Sequence, residues 1–86
     1  MDYRSGTHTI GKVRQAAEYA YTEFGYDYTT ATQLANQFVN AVISDDCIDE
    51  YDENTSLSNR AITNVCYDMF STDEQEKYFY DILWGY

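Results

Sequence analysis

The apolar positions of this chain fall into four groups at helical spacing, separated by short polar breaks. In the first group Ile10, Val13, Ala17, Ala20, Tyr21 and Phe24 recur at three- and four-residue intervals, which places them on one face of a helix. The spacing predicts a helix over about 9–24, ended by Gly25, a residue suited to the left-handed conformation that closes many helices. Tyr19 falls on the opposite, polar face with Lys12 and Glu23. The second group (Ala31, Leu34, Ala35, Phe38, Ala41 and Val42, widened by Val39 and Ile43) predicts a helix over about 31–43. Its wide stripe marks it as the most central of the four. Thr30 with Gln33 forms a capping-box pattern at its start. Its far face, Gln33, Asn36 and Asn40, is polar but uncharged.

The third helix is predicted over about 57–70, with Leu57, Ala61, Ile62, Val65 and Met69 as its stripe and Cys66 beside it. Ser56 or Ser58 serves as its cap. The fourth is predicted over about 73–84, with Phe79, Ile82 and Leu83 facing inward and Gly85 ending it. Thr72 with Gln75 repeats the capping-box pattern, and Asp73 and Glu74 suit the positive end of the helix dipole. No segment alternates polar and apolar as a half-buried strand does. The expected fold is therefore all-α: a compact bundle of about four short helices in a single domain over 1–86. Residues 1–8 are expected to fray, and 45–56 to form an acidic connector or a short helix.

Length and composition sharpen this picture. A chain of 86 residues makes one domain with a thin core. Its 10 tyrosines, 4 phenylalanines and 1 tryptophan set it apart from acidic disordered tails, which are poor in aromatics. The absence of proline leaves long helices unopposed. The net charge of −10 is segregated: residues 1–44 hold four acids against three bases, and residues 45–86 hold eleven acids against two. Such a field repels nucleic acid and attracts basic surfaces. No apolar run reaches the roughly 18 residues of a membrane span, and the first ten residues lack the apolar stretch of a signal peptide. A soluble, cytoplasmic protein is expected. Cys47 and Cys66 form no CxxC pair and are expected as free thiols in a reducing compartment.

Catalytic chemistry has little to draw on. His8 is the single histidine, expected as a cap or a solvated residue, and no phosphate loop, nucleophile elbow or zinc-protease motif is present. The acids of 45–53 offer hard oxygen ligands to Ca²⁺ or Mg²⁺, but they lack the alternation and the glycine of an EF-hand. Neither an enzyme, a cofactor nor a dedicated metal site is expected. Direct nucleic-acid binding is disfavoured, because the second helix carries amides but no cation for a groove.

The acidic surface is the strongest signal. Asp45, Asp46, Asp49, Glu50, Asp52 and Glu53 crowd one segment, and Asp73, Glu74 and Asp81 project from the fourth helix with Glu76 at its flank. Together they are expected to form a continuous negative face. Tyr51, Tyr67 and Tyr80 lie among them, and tyrosine buries area at an interface while keeping a polar end. The bland alternative is a solvated face with half-buried tyrosines.

The DDCIDEYDE run (45–53) and the DEQE opening of the fourth helix (73–76) give the chain a resemblance in kind to small acidic inhibitors encoded by bacteriophages and other mobile elements, including anti-CRISPR and anti-restriction proteins. The likeness is one of size, charge and aromatic content over about half of the chain. It implies a DNA mimic, acting in the cytoplasm of a bacterial host, that occupies the basic nucleic-acid-binding surface of a protein or ribonucleoprotein. The competing expectation is a helical structural or adaptor module, a homodimer in one version, that binds through an apolar or amide-rich face.

Overall fold

The computed structural model describes residues 6–85, in the order β1 (Thr7–Thr9), α1 (Ile10–Glu23), α2 (Tyr28–Asp45), β2 (Ser56–Ser58), α3 (Asn59–Met69) and α4 (Asp73–Trp84). The chain is mostly helical, with the four expected helices and one element the periodicity did not predict. That element is a two-stranded antiparallel sheet, in which Thr7 faces Ser58, His8 faces Leu57 and Thr9 faces Ser56. Three residues per strand are too few for an alternating pattern to stand out. The sheet changes the expectation for the N-terminus. Residues 7 and 8 are paired rather than frayed, while the expectation for residues 1–5 lies outside the described part.

The helices start where a side chain can accept a free backbone N–H. Thr9 caps α1 by accepting from the Lys12 amide, Ser58 caps α3 by accepting from Ala61, and Thr72 caps α4 by accepting from Gln75. α2 corrects the reading of its boundary. It begins at Tyr28, capped by Asp27, whose carboxylate accepts the Thr30 amide at 2.7 Å. Thr30 is thus inside the first turn and the Thr30–Gln33 box does not form. Asp27 wins because a carboxylate accepts a charge-assisted bond at the positive end of the helix. On α4 the second half of the box is displaced by one residue: Gln75 Oε1 accepts from the Ser71 amide at 2.9 Å and the Ser71 hydroxyl at 3.1 Å.

The four helices run up and down. α1 lies between α2 and α4, and α2 between α1 and α3, so α2 is no more central than α1. Ala16, Ala17 and Ala20 on α1 are fully buried, and their small size lets two neighbours approach. Phe38, Phe70 and Phe79 form the aromatic centre, with ring centroids 4.9–5.6 Å apart. Tyr21 and Phe24 extend it towards the C-terminal end of α1. At the opposite end Trp84 packs edge-on against His8 at 4.8 Å. His8 is therefore neither a cap nor a solvated residue. Its Nδ1 lies 2.6 Å from Asn59 Oδ1, and because that oxygen only accepts, Nδ1 is the donor.

The cysteines differ in environment. Both are free; Cys47 is exposed and Cys66 is buried. Burial first, and the nearby Glu76 charge after it, push the Cys66 thiol up to about 12 despite a hydrogen bond with Tyr80 that acts the other way. One thiol per chain should therefore react with a disulfide reagent in the native state and two in denaturant; two rapid native reactions would show that α3 is not packed as described. Tyr21 is likewise pushed up to about 12 by burial and by Tyr26, and Tyr80 is raised by burial and Cys66. All three groups ionise more easily unfolded, so their contribution to stability is complete below pH 9 and declines as pH rises towards about 12. A flat stability profile between those limits, in urea melts at stepped pH, would contradict the burial of Tyr21 and Cys66.

Candidate functional site

The acidic segment is a loop, and half of its carboxylates have structural work. Asp45 is the last residue of α2, and residues 46–55 form neither helix nor strand. The loop turns back through Cys47, which takes a positive φ of 56°, and Ile48 tucks against the core. The Asp46 carboxylate accepts the Ser58 amide at 3.1 Å and its hydroxyl at 3.0 Å, tying the loop to the start of α3. Asp52 organises the turn by accepting the Asn54 amide at 2.8 Å. The returning end of the loop then closes α1: Gly11 donates to the Glu53 carbonyl at 3.0 Å and Ile10 to the Thr55 carbonyl at 2.9 Å. Two amides left free at the helix start are satisfied in this way. The approach is close: a Cβ on Gly11 would meet Glu53 Oε2 at 3.2 Å and its carbonyl at 3.4 Å, so the Glu53 side chain would have to give by a few tenths of an ångström. The Glu53 carboxylate pairs with Arg14, whose Nε also donates to Asn36 Oδ1 at 3.0 Å.

Ser58 is the hinge of this arrangement. Ser58→Ala removes the α3 cap and one bond to Asp46, and should destabilise the protein by about 1–2 kcal/mol in a urea melt. A melt indistinguishable from wild type would mean that the Asp46 tether carries no energy.

What the loop leaves exposed without structural work is therefore Asp49, Glu50 and Tyr51, with Asp45 at its edge; Tyr51 is 53% exposed. Asp45 has one long contact, from Asn64 Nδ2 at 3.4 Å. Among the described residues no three His, Cys, Asp or Glu side chains are arranged to hold a metal ion. No helix of the described part is long and apolar enough to cross a membrane.

Asp73 and Glu74, in the first turn of α4, lie elsewhere. Tyr78 near the start of α4 packs on Phe24 at the end of α1, with ring centroids 5.8 Å apart, whereas Trp84 at its end packs on His8. α4 is thus antiparallel to α1, and its first turn sits at the opposite end of α1 from the acidic loop. The 14 residues of α1 span about 20 Å. That exceeds the Debye length of about 8 Å at physiological ionic strength, so the two groups act as separate negative poles. Asp73 and Glu74 therefore do not adjoin the acidic loop. Asp73 and Glu74 are exposed, but Glu76 and Asp81 are only partly so. Burial, and then the Asp73 charge, raise the Glu76 carboxyl. Tyr80 is half-buried, its hydroxyl against Cys66 and Thr63 and its ring between Phe79 and Trp84. It belongs to the interior more than to a surface. Tyr67 is 67% exposed in the last turn of α3.

The second pole contains residues that the sequence analysis did not count in the acidic face. The α1–α2 turn brings Glu23, Tyr26, Asp27 and Tyr28 to the end of the bundle where α3 leads into α4. Tyr26 is 45% exposed, Tyr28 76% and Tyr78 37%. Asp27 is held ionised, its carboxyl lowered by the bond from Thr30. The available signal was topological. Two consecutive hairpins of helices bring alternate turns to one end, so residues 23–28 and 71–78 had to be neighbours in an up-and-down bundle. The uncharged face of α2 is in part accounted for by Arg14, which occupies Asn36; Gln33 and Asn40 are exposed.

The architecture and its two negative poles define a small, mostly helical, acidic domain. The chain matches no protein-family model, no curated protein and no solved structure.

Proposed function

We propose that the protein is an acidic inhibitor that docks on a basic, nucleic-acid-binding surface of a bacterial defence complex, of the CRISPR or restriction type, and competes there with nucleic acid. The observation that carries this reading is uncompensated charge. Fifteen acids face five bases in the chain, and among the described residues a single ion pair, Arg14 with Glu53, neutralises any of them. Like charges gathered on a small domain destabilise it through self-repulsion. Their placement beside exposed tyrosines at both poles favours a basic partner over solubility alone. The competing adaptor reading has less behind it, because Asn36 on the amide face is already engaged by Arg14.

Affinity capture from a bacterial lysate tests the proposal. The expected prey are nucleic-acid-binding proteins, released by competing duplex DNA and by about 1 M salt, where the Debye length falls to roughly 3 Å. Prey without a basic nucleic-acid site, held through high salt and indifferent to duplex, would overturn the reading.

A further inference from the structure

Between the C-terminal end of α1 and the first turn of α4 lies a depression of about 260 Å³, lined by Glu23, Phe24, Thr72, Glu74, Gln75 and Tyr78. It falls below the size of sites that hold drug-like molecules or cofactors, and it suits a single side chain. We propose that it is a socket for an arginine side chain of a protein partner, the guanidinium lying against the Phe24 and Tyr78 rings and bridging the Glu23 and Glu74 carboxylates. The proposal rests on the reading that the partner surface is basic, and it names which contact anchors that surface.

Four observations lead to this chemistry. Two neutral acceptors of the wall are already engaged: Thr72 Oγ1 accepts the Gln75 amide at 3.2 Å, and Gln75 Oε1 accepts from Ser71. Glu23 and Glu74 are exposed and make no hydrogen bond or ion pair among the described residues, so both charged acceptors of the socket are free. Phe24 and Tyr78 tilt at 57° to one another, offering aromatic surface to a cation. The helix ends reinforce the sign. α1 has no base in its last turn, leaving its negative end unanswered, whereas the positive end of α4 is already met by Asp73, Glu74 and Glu76.

A guanidinium fits better than an ammonium, because it is planar, stacks on rings and donates in a fork that spans two carboxylates. The protein's own ammonium does not fill the site: Lys77, one turn beyond Glu74, is exposed and makes no ion pair among the described residues.

The test uses the purified full chain and N-acetyl-arginine amide, with N-acetyl-lysine amide as comparator, followed by backbone amide chemical shifts. Arginine amide should shift Glu23, Phe24, Thr72, Glu74, Gln75 and Tyr78 saturably, with a Kd on the order of 1 mM for one isolated side chain, and lysine amide should bind several-fold more weakly. The Glu23→Gln/Glu74→Gln double variant should lose the response while still unfolding cooperatively, and Asp49→Asn/Glu50→Gln at the other pole should keep it. Shifts spread equally over Asp49 and Glu50, equal response to lysine, or survival of the response in the double variant would each overturn the socket. Its fate is separable from that of the inhibitor reading. Arginine binding with no nucleic-acid-binding prey leaves the socket standing and removes the inhibitor, and the reverse pair of results does the opposite.

Discussion

Phe79→Ala is expected to destabilise the protein by about 3–5 kcal/mol, a large part of the roughly 5–15 kcal/mol that a small domain possesses. Phe79 is fully buried and its ring meets those of Phe38, Phe70 and Tyr80. With Leu83 it supplies the buried face by which α4 is docked, since these two are the buried residues of that helix. Truncation leaves a cavity at the junction of three helices, where no single neighbour can collapse to fill it. The chain should lose cooperative unfolding in urea or be largely unfolded at physiological temperature. Tyr80→Phe, which keeps the ring and removes one hydroxyl, serves as the mild comparator at about 1–2 kcal/mol. A Phe79→Ala melt within about 1 kcal/mol of wild type would mean that α4 is not packed through Phe79.

The second large effect concerns binding and separates the charge of the surface from the integrity of the fold. Reversing Asp49, Glu50, Asp73 and Glu74 to lysine changes the net charge from −10 to −2, since each reversal adds two. All four are exposed and none has a hydrogen bond or ion pair among the described residues. The melt should therefore stay within about 0.5 kcal/mol of wild type for Asp49 and Glu50, and fall by about 0.5–2 kcal/mol per site for Asp73 and Glu74, whose charges favour the start of α4. Association with a basic partner should slow by 10- to 1,000-fold at low ionic strength, the range over which electrostatic steering acts. Stopped-flow or surface-based kinetics against the captured partner would show it. An unchanged association rate would remove charge complementarity as the basis of recognition. The choice of residues matters. Asp52 and Glu53, equally acidic in sequence, hold the turn and close α1, so reversing them would confound lost binding with a loosened loop.

That contrast shows how far the candidate site was legible. The acids were identifiable as a group, because composition and segregation need no coordinates. Their division of labour was not. Asp46 and Asp49 look alike in the DDCIDEYDE run, yet Asp46 is tied to Ser58 and Asp49 is exposed with no bond among the described residues. Only the position of each carboxylate relative to free backbone amides separates a tether from a presented charge. The same holds for tyrosine. Tyr80 is spaced like a flank residue of α4 but rests on Cys66 and Thr63, while Tyr28 extends into solvent from the start of α2.

The sequence by itself determined the four helices, two of their N-terminal caps (Thr72, and Ser58 as one of two candidates), the faces they bury and the sign of the molecule's field. Each of these follows from residues within a turn or two of one another, or from composition. The tertiary structure decided the rest. It paired residues 7–9 with 56–58, closed the start of α1 with the acidic loop, and set the first turn of α4 at the other end of α1, about 20 Å from that loop. These outcomes depend on contacts between residues distant in sequence, set by the direction in which each helix returns. A 3.6-residue period reports which side of a helix is buried, but not which helix end lies beside it. The acidity first visible as one segregated half of the chain is, in three dimensions, a loop that is partly structural and an aromatic, carboxylate-walled end assembled from both halves.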